Sequence, residues 1–325
     1  MGDRRLHRQG LVGRDARLPR LRGGDLGAGN GRVAGRAGRK VLAAGLTSVA
    51  EIERELARLR AEEETGSALR TSVLTHSAWV PAEWLSAAES VLADLGERHP
   101  SRTIVLLPEP DAGENAIDAE VELERFSLGE QSVCSEVVRI RLRGDRAGVP
   151  ASVLLPLLVA DLPVFLRWRG RPTFGSSELE QLVDVADRVV VDSGEWPDLL
   201  DGYRALVPYF ERSAWSDISW SRTLRWRRAL AACWPEIEAV RMLHVPGPEA
   251  EAALLVGWLR SRLEREVELD WAEAAELAAV VADDGSPIEA QQDPRTPSDL
   301  LSDELERFTR DPVYEHAVTR AVAAT

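Results

Sequence analysis

From Thr47 onward the chain alternates short apolar runs with segments whose apolar residues recur every three to four positions. That alternation admits few architectures other than an α/β fold, because each helix stripe and each strand needs a facing layer to bury it. Ser48 followed by Glu51 is a capping-box start, and Val49, Ile52, Leu56 and Leu59 then line one helix face. A strand is expected over 68–79. After Pro81, a residue tolerated in a first helical turn, Trp84, Ala88, Val91 and Leu95 make the buried stripe of a second helix. The continuous run Ile104, Val105, Leu106 and Leu107 reads as a strand covered on both faces.

Two segments then alternate with period two. Ala119, Val121 and Leu123 are interleaved with Asp118, Glu120, Glu122 and Glu124, and Val138, Ile140 and Leu142 with Arg139, Arg141 and Arg143. Paired antiparallel, an acidic outer face meets a basic one, each cross-strand pair contributing about 0.2–1 kcal/mol. Beyond them, helices are expected at 151–159, 177–186, 197–210, 222–234 and 248–263, with a capped helix from Pro297. Strands are expected at 163–168, 188–192, 215–220, 237–244 and 267–271. The organisation this implies is a leader at 1–45, an N-terminal α/β domain at 46–162 and a C-terminal α/β domain at 163–325, both with mixed sheets.

Charge divides the chain. The net charge is −14 over 325 residues, yet residues 1–40 carry eleven basic and three acidic side chains and ten of the 24 glycines. Such a segment cannot bury enough apolar surface to order itself, so it reads as a disordered basic leader or a misassigned start. The acidic remainder argues against a nucleic-acid partner, since duplex binders carry the opposite sign. No run approaches the roughly 18 apolar residues of a membrane span, and no secretory signal opens the chain, so no membrane partner is expected and the location is taken as cytoplasmic. Two cysteines, Cys134 and Cys233, make neither a disulfide framework nor a four-thiolate zinc site.

A search for chemistry finds little. Gly27 to Gly31 fails the dinucleotide spacing and follows no strand, Gly35 to Lys40 fails the phosphate-loop pattern, and no His-Glu-x-x-His or Gly-x-Ser-x-Gly motif occurs. No catalytic residue, cofactor or metal site is therefore assigned. What stands out is arginine beside tryptophan: Arg167, Arg169 and Arg171 around Trp168, then Trp220, Arg222, Arg225, Trp226 and Arg227. Both residue types are enriched at protein–protein hot spots, so these positions are the expected partner-binding surface. An alternative is an anion-facing cleft for a sugar phosphate, built from the 168–175 loop, Asp192 at the carboxyl end of an apolar strand, and His76.

Several stretches resemble the glucose-6-phosphate dehydrogenase assembly protein (OpcA) family. They are Leu154-Leu-Pro-Leu-Leu-Val-Ala-Asp-Leu-Pro-Val-Phe-Leu-Arg-Trp168, Ala186-Asp-Arg-Val-Val-Val-Asp-Ser193 and Asp217-Ile-Ser-Trp-Ser-Arg-Thr-Leu-Arg-Trp-Arg227, with Asp299-Leu-Leu-Ser-Asp-Glu-Leu305 and Asp311-Pro-Val-Tyr-Glu315 closing the chain. The resemblance runs from about Thr47 to the end. It implies two α/β domains and a non-catalytic partner of glucose-6-phosphate dehydrogenase that favours the active oligomer. Ser101 stands where relatives often carry cysteine after His-Pro, so thiol control described for photosynthetic members is not implied here.

Overall fold

In the computed structural model, residues 36–64, 68–69, 74–99, 101–128 and 131–323 are described; the leader through residue 35 lies outside them. The elements are β1 (Arg36–Leu46), α1 (Val49–Glu64), β2 (Ala68–Leu69), β3 (Thr75–Trp79), α2 (Leu85–Arg98), β4 (Arg102–Glu109), β5 (Ile117–Leu128) and β6 (Gln131–Arg143). They continue with α3 (Pro150–Leu154), β7 (Val164–Trp168), α4 (Ser177–Val185), β8 (Arg188–Val191), α5 (Leu199–Leu206), β9 (Ala214–Asp217), α6 (Ile218–Arg222) and α7 (Leu224–Ala232). Last come β10 (Met242–Gly247), α8 (Glu249–Leu263), β11 (Glu268–Glu273), β12 (Val281–Ala282), α9 (Pro297–Leu305) and α10 (Pro312–Ala323). The class is α/β with mixed sheets.

A nine-stranded sheet orders its strands β1-β5-β6-β4-β3-β7-β8-β9, with β2 beside β6, and a three-stranded sheet runs β11-β10-β12. Strands β6, β4, β3, β7, β8 and β9 are mutually parallel. Counted from β3, their order is the 3-2-1-4-5-6 of a doubly wound sheet, whose ligands sit outside the carboxyl ends of the strands. The ladder crosses residue 162 without a break, because β3 and β7 are neighbours in register from Thr75↔Val164 to Trp79↔Trp168.

The charged hairpin forms as its alternation requires: Asp118 faces Arg141 and Glu120 faces Arg139 across β5 and β6. Its apolar side, including Val121, Val138 and Ile140, packs on Ile52 and Leu56 of α1. The outer side is less solvated than alternation suggests. Glu122 and Glu124 are buried. Arg139 donates to Glu122, and Arg102 of β4 reaches Glu136 at 2.6 Å with both side chains buried.

Several boundaries move. The chain enters the sheet at Arg36, ahead of Thr47. The strand expected at 215–220 stops at Asp217, because that side chain accepts the Ser219 N–H at 2.9 Å and so opens α6. In the expected strand at 237–244, residues Glu236–Ala239 form a 3₁₀ turn and the strand starts at Met242.

Helix α8 is buried from Ala250 through Leu259, as a helix packed on all sides must be. It crosses α10 at Gly257, where a Cβ would run into the Ala317 carbonyl and the Ala321 side chain. Gly257→Ala is therefore expected to destabilise the fold by about 1–3 kcal/mol through overpacking, despite the gain in helix propensity. Urea denaturation checks this: the midpoint should fall at constant slope, and an unchanged or raised midpoint would show that the two helices separate freely.

Candidate functional site

The carboxyl ends of β8 and β9 carry two aspartates with different fates. Asp192 directly follows β8, and Arg222 at the end of α6 grips it with two hydrogen bonds, Nη1 to Oδ1 at 2.9 Å and Nη2 to Oδ2 at 2.7 Å. Ser219 Oγ also donates to Asp192 Oδ1 at 2.8 Å. Burial would raise this carboxyl, but the charge and hydrogen bonds of Arg222, helped by Arg167 and Ser219, hold it below its ordinary value. Asp217 accepts the Ser193 N–H at 3.0 Å and lies 3.4 Å from the donating Tyr314 hydroxyl. Among the described residues no cation pairs with it, and burial together with the Asp192 charge pushes it up to about 7.

All three tryptophans and one arginine of the arginine–tryptophan positions face inward. Trp168 is 3% exposed and stacks on Trp79 at a centroid distance of 5.1 Å. Trp220 is 1% exposed, donates from Nε1 to Asp311 at 3.0 Å and lies under Arg227, 3.4 Å from its ring centroid. Trp226 is 4% exposed, and its Nε1 donates to the Leu277 carbonyl at 3.3 Å, beside Arg225, which donates to the same oxygen at 2.6 Å. Arg167 is buried and donates to Glu195 at 2.7 Å. These four residues, Arg167, Trp168, Trp220 and Trp226, are thus corrected from an exterior surface to core and near-core packing: amphipathic side chains bury their bodies and point their polar tips at internal acceptors. Arg169, Arg171, Arg222, Arg225 and Arg227 stay partly exposed.

The 168–175 loop offers a phosphate little. Glu195 already takes the Gly170 N–H at 2.6 Å and the guanidinium of Arg169 at 3.1 Å. Arg169 also lies over the Trp84 ring, 5.0 Å from its centroid. Gly170 is in the left-handed region at φ 72°, and a Cβ there would lie 2.8 Å from Trp84 Nε1. The turn after β3, where a doubly wound sheet usually holds a glycine-rich phosphate grip, is instead Val80-Pro81-Ala82-Glu83-Trp84. His76 is fully buried in β3, neither ring nitrogen has a hydrogen-bond partner among the described residues, and burial lowers it to about 3. It does not line the cleft described next.

That cleft, of about 1260 Å³, lies between the turn after β8, the junction of α6 and α7, and the small sheet. Asp192, Arg222, Arg225 and Trp226 meet there with Trp84, the first turn of α8, Trp271, residues 273–278 and the segment leading into α9. Sequence reasoning missed Glu251, Trp271, Glu273 and Glu276, which share the cleft only because α8 returns β11 alongside β10. Glu251 is 7% exposed, its closest cation is Arg222 Nε at 4.0 Å, and burial pushes its carboxyl up to about 7. Among the described residues, no group of three or more His, Cys, Asp or Glu is placed to hold a metal ion, and no helix is long and apolar enough to cross a membrane.

Comparison with known proteins finds family matches over two stretches of the chain. Residues 93–207 match the family described as glucose-6-phosphate dehydrogenase subunit N-terminal domain, and residues 213–318 match its C-terminal counterpart. Similar proteins bear the name OpcA and are attributed to the OxPP cycle. That of Nostoc punctiforme is 26% identical over 194 residues, 55% of this chain and 41% of its own. That of Synechocystis sp. is 25% identical over 189 residues, 54% and 40% of the two chains. That of Synechococcus elongatus is 25% identical over 222 residues, 63% and 49%. This chain therefore spans less than half the length of the curated relatives it matches.

Proposed function

The chain belongs to the OpcA family of glucose-6-phosphate dehydrogenase assembly proteins, and from that premise we propose that it is a non-catalytic partner of glucose-6-phosphate dehydrogenase in the oxidative pentose phosphate pathway. The observation that carries the reading is the match of both halves of the family in order, over 93–207 and 213–318. The interior supports it. Beside the carboxyl ends of β7 and β8 the donors Arg167, the Gly170 N–H and Arg222 are already taken by Glu195 and Asp192, so the cleft beside them offers an anionic metabolite few donors.

Activation follows from differential affinity. A partner that binds the active oligomer more tightly than the inactive one shifts the equilibrium by that difference, about 1.4 kcal/mol for each factor of ten. The docking role among the arginines rests with those that reach solvent: Arg169, Arg171, Arg222, Arg225 and Arg227. The experiment is size-exclusion chromatography with light scattering on the chain mixed with the dehydrogenase at micromolar concentration. A co-eluting species heavier than either component is expected; separate elution of both would overturn the reading.

A further inference from the structure

The cleft beside α8 carries a charge problem that the chain does not solve alone. Its three arginines are already engaged: Arg222 by Asp192, Arg225 by the Leu277 carbonyl, and Arg295 by Asp293 and Asp303. Its outer carboxylates are not. Glu249, Glu273 and Glu276 are exposed, with no ion pair or hydrogen bond to any described residue. Deeper in, Glu251 is nine-tenths buried, lines the cleft, accepts no hydrogen bond among the described residues and meets no cation closer than the 4.0 Å of Arg222 Nε. Trp271 stands at the same site, 40% exposed, its indole N–H anchored on the Gly247 carbonyl at 2.9 Å.

A buried carboxylate, a ring of unpaired acids and an exposed aromatic face are complementary to a planar, weakly hydrated cation that can pair bidentately and lie against an indole. Among protein side chains that description fits arginine. The volume also exceeds the roughly 300–1,000 Å³ usual for small-molecule sites, which suits a stretch of polypeptide better than a free amine. We infer that this cleft receives an arginine-bearing segment of a partner polypeptide, with Glu251 as the buried counter-ion and Glu249, Glu273 and Glu276 steering the segment in. Only the partner's identity as the dehydrogenase rests on the association proposed above; the cleft's preference does not.

The test uses the full chain and the peptide Gly-Arg-Gly-Arg-Gly, with Gly-Glu-Gly-Glu-Gly and free arginine as companions, read by calorimetry and tryptophan fluorescence. The arginine peptide should bind and the glutamate peptide should not. Glu251→Gln should weaken the arginine peptide about tenfold or more, as loss of a buried charge partner does. The triple variant E249Q/E273Q/E276Q should weaken it and flatten its salt dependence. The control E53Q/D201N/E211Q removes the same charge from exposed positions elsewhere and should leave binding within about twofold, since rim charges distant from a contact act weakly. Equal affinity in the wild type and Glu251→Gln, or free arginine binding as tightly as the peptide, would overturn the inference. Dehydrogenase binding that Glu251→Gln leaves untouched would overturn the dehydrogenase as the cleft's partner while sparing the association. Peptide binding at the cleft by a chain that ignores the dehydrogenase would support the cleft and sink the association.

Discussion

Arg222→Ala is expected to destabilise the fold by about 3–5 kcal/mol, the range for stripping the partner from a buried charge. Asp192 is 6% exposed, and two of its strongest contacts are the paired hydrogen bonds from this one guanidinium. Without them Ser219 Oγ and the Gly194 N–H still reach Oδ1, but no cation remains in contact with the carboxylate. The carboxyl would then protonate at higher pH, so the loss should be smaller in acid than at neutrality. Arg222 is itself about a third exposed on its side chain, which places the expected value toward the lower end. The double variant D192N/R222M should recover part of the loss, because it leaves no buried charge behind. Equilibrium denaturation of the three proteins reads this directly. A loss below about 1 kcal/mol for Arg222→Ala would mean that the pair behaves like a solvent-exposed one.

The second large effect is on pH dependence. An unfolded aspartate titrates near 3.9, whereas Asp217 in the fold is pushed up to about 7 by burial and by the nearby Asp192 charge. The folded state therefore holds a proton that the unfolded chain releases. The resulting stability is fully present below about pH 4 and is lost as pH rises through about 7, at about 1.4 kcal/mol per unit and up to about 4 kcal/mol in all. Glu251, also raised to about 7 by burial, acts in the same direction. Asp192, lowered, acts oppositely near its own low range, and the buried His76, lowered to about 3, and His99, also lowered by burial, act oppositely below about pH 6.5. The decline of the wild type should therefore be clearest between about pH 6 and 7, with the histidines offsetting part of it at lower pH. Asp217→Asn keeps an oxygen to accept the Ser193 and Ser219 N–H groups and cannot ionise, so its profile should be markedly flatter. Parallel profiles for the two proteins would contradict the assignment.

What could be read from the residues, and what could not, follows from the range over which each signal acts. The β5–β6 hairpin was legible because alternation and charge sign are local, and Asp118↔Arg141 and Glu120↔Arg139 face each other as the pattern requires. Strand β1 was not: Arg36-Ala-Gly-Arg-Lys40 has no apolar alternation, and only its pairing with β5 makes it a strand. Helix α10 was legible and overlooked, since Tyr314, Ala317, Val318 and Ala321 fall on one helical face and are buried together. The arginine–tryptophan clustering was visible, but its direction was not. Whether Trp220 faces solvent depends on Asp311, 91 positions away, to which its indole donates. The cleft was least accessible of all, because Asp192, Arg222, Glu251 and Trp271 belong to separate elements that only the crossing of α8 between β10 and β11 gathers.

The association itself is tested most directly by titrating the full chain into glucose-6-phosphate dehydrogenase and following the NADPH produced. A saturable rise in velocity that levels off at a fixed molar ratio is the expected result, with no sugar phosphate turned over by the chain alone. A velocity unchanged across the titration, or turnover by the isolated chain that a single side-chain replacement abolishes, would contradict the account.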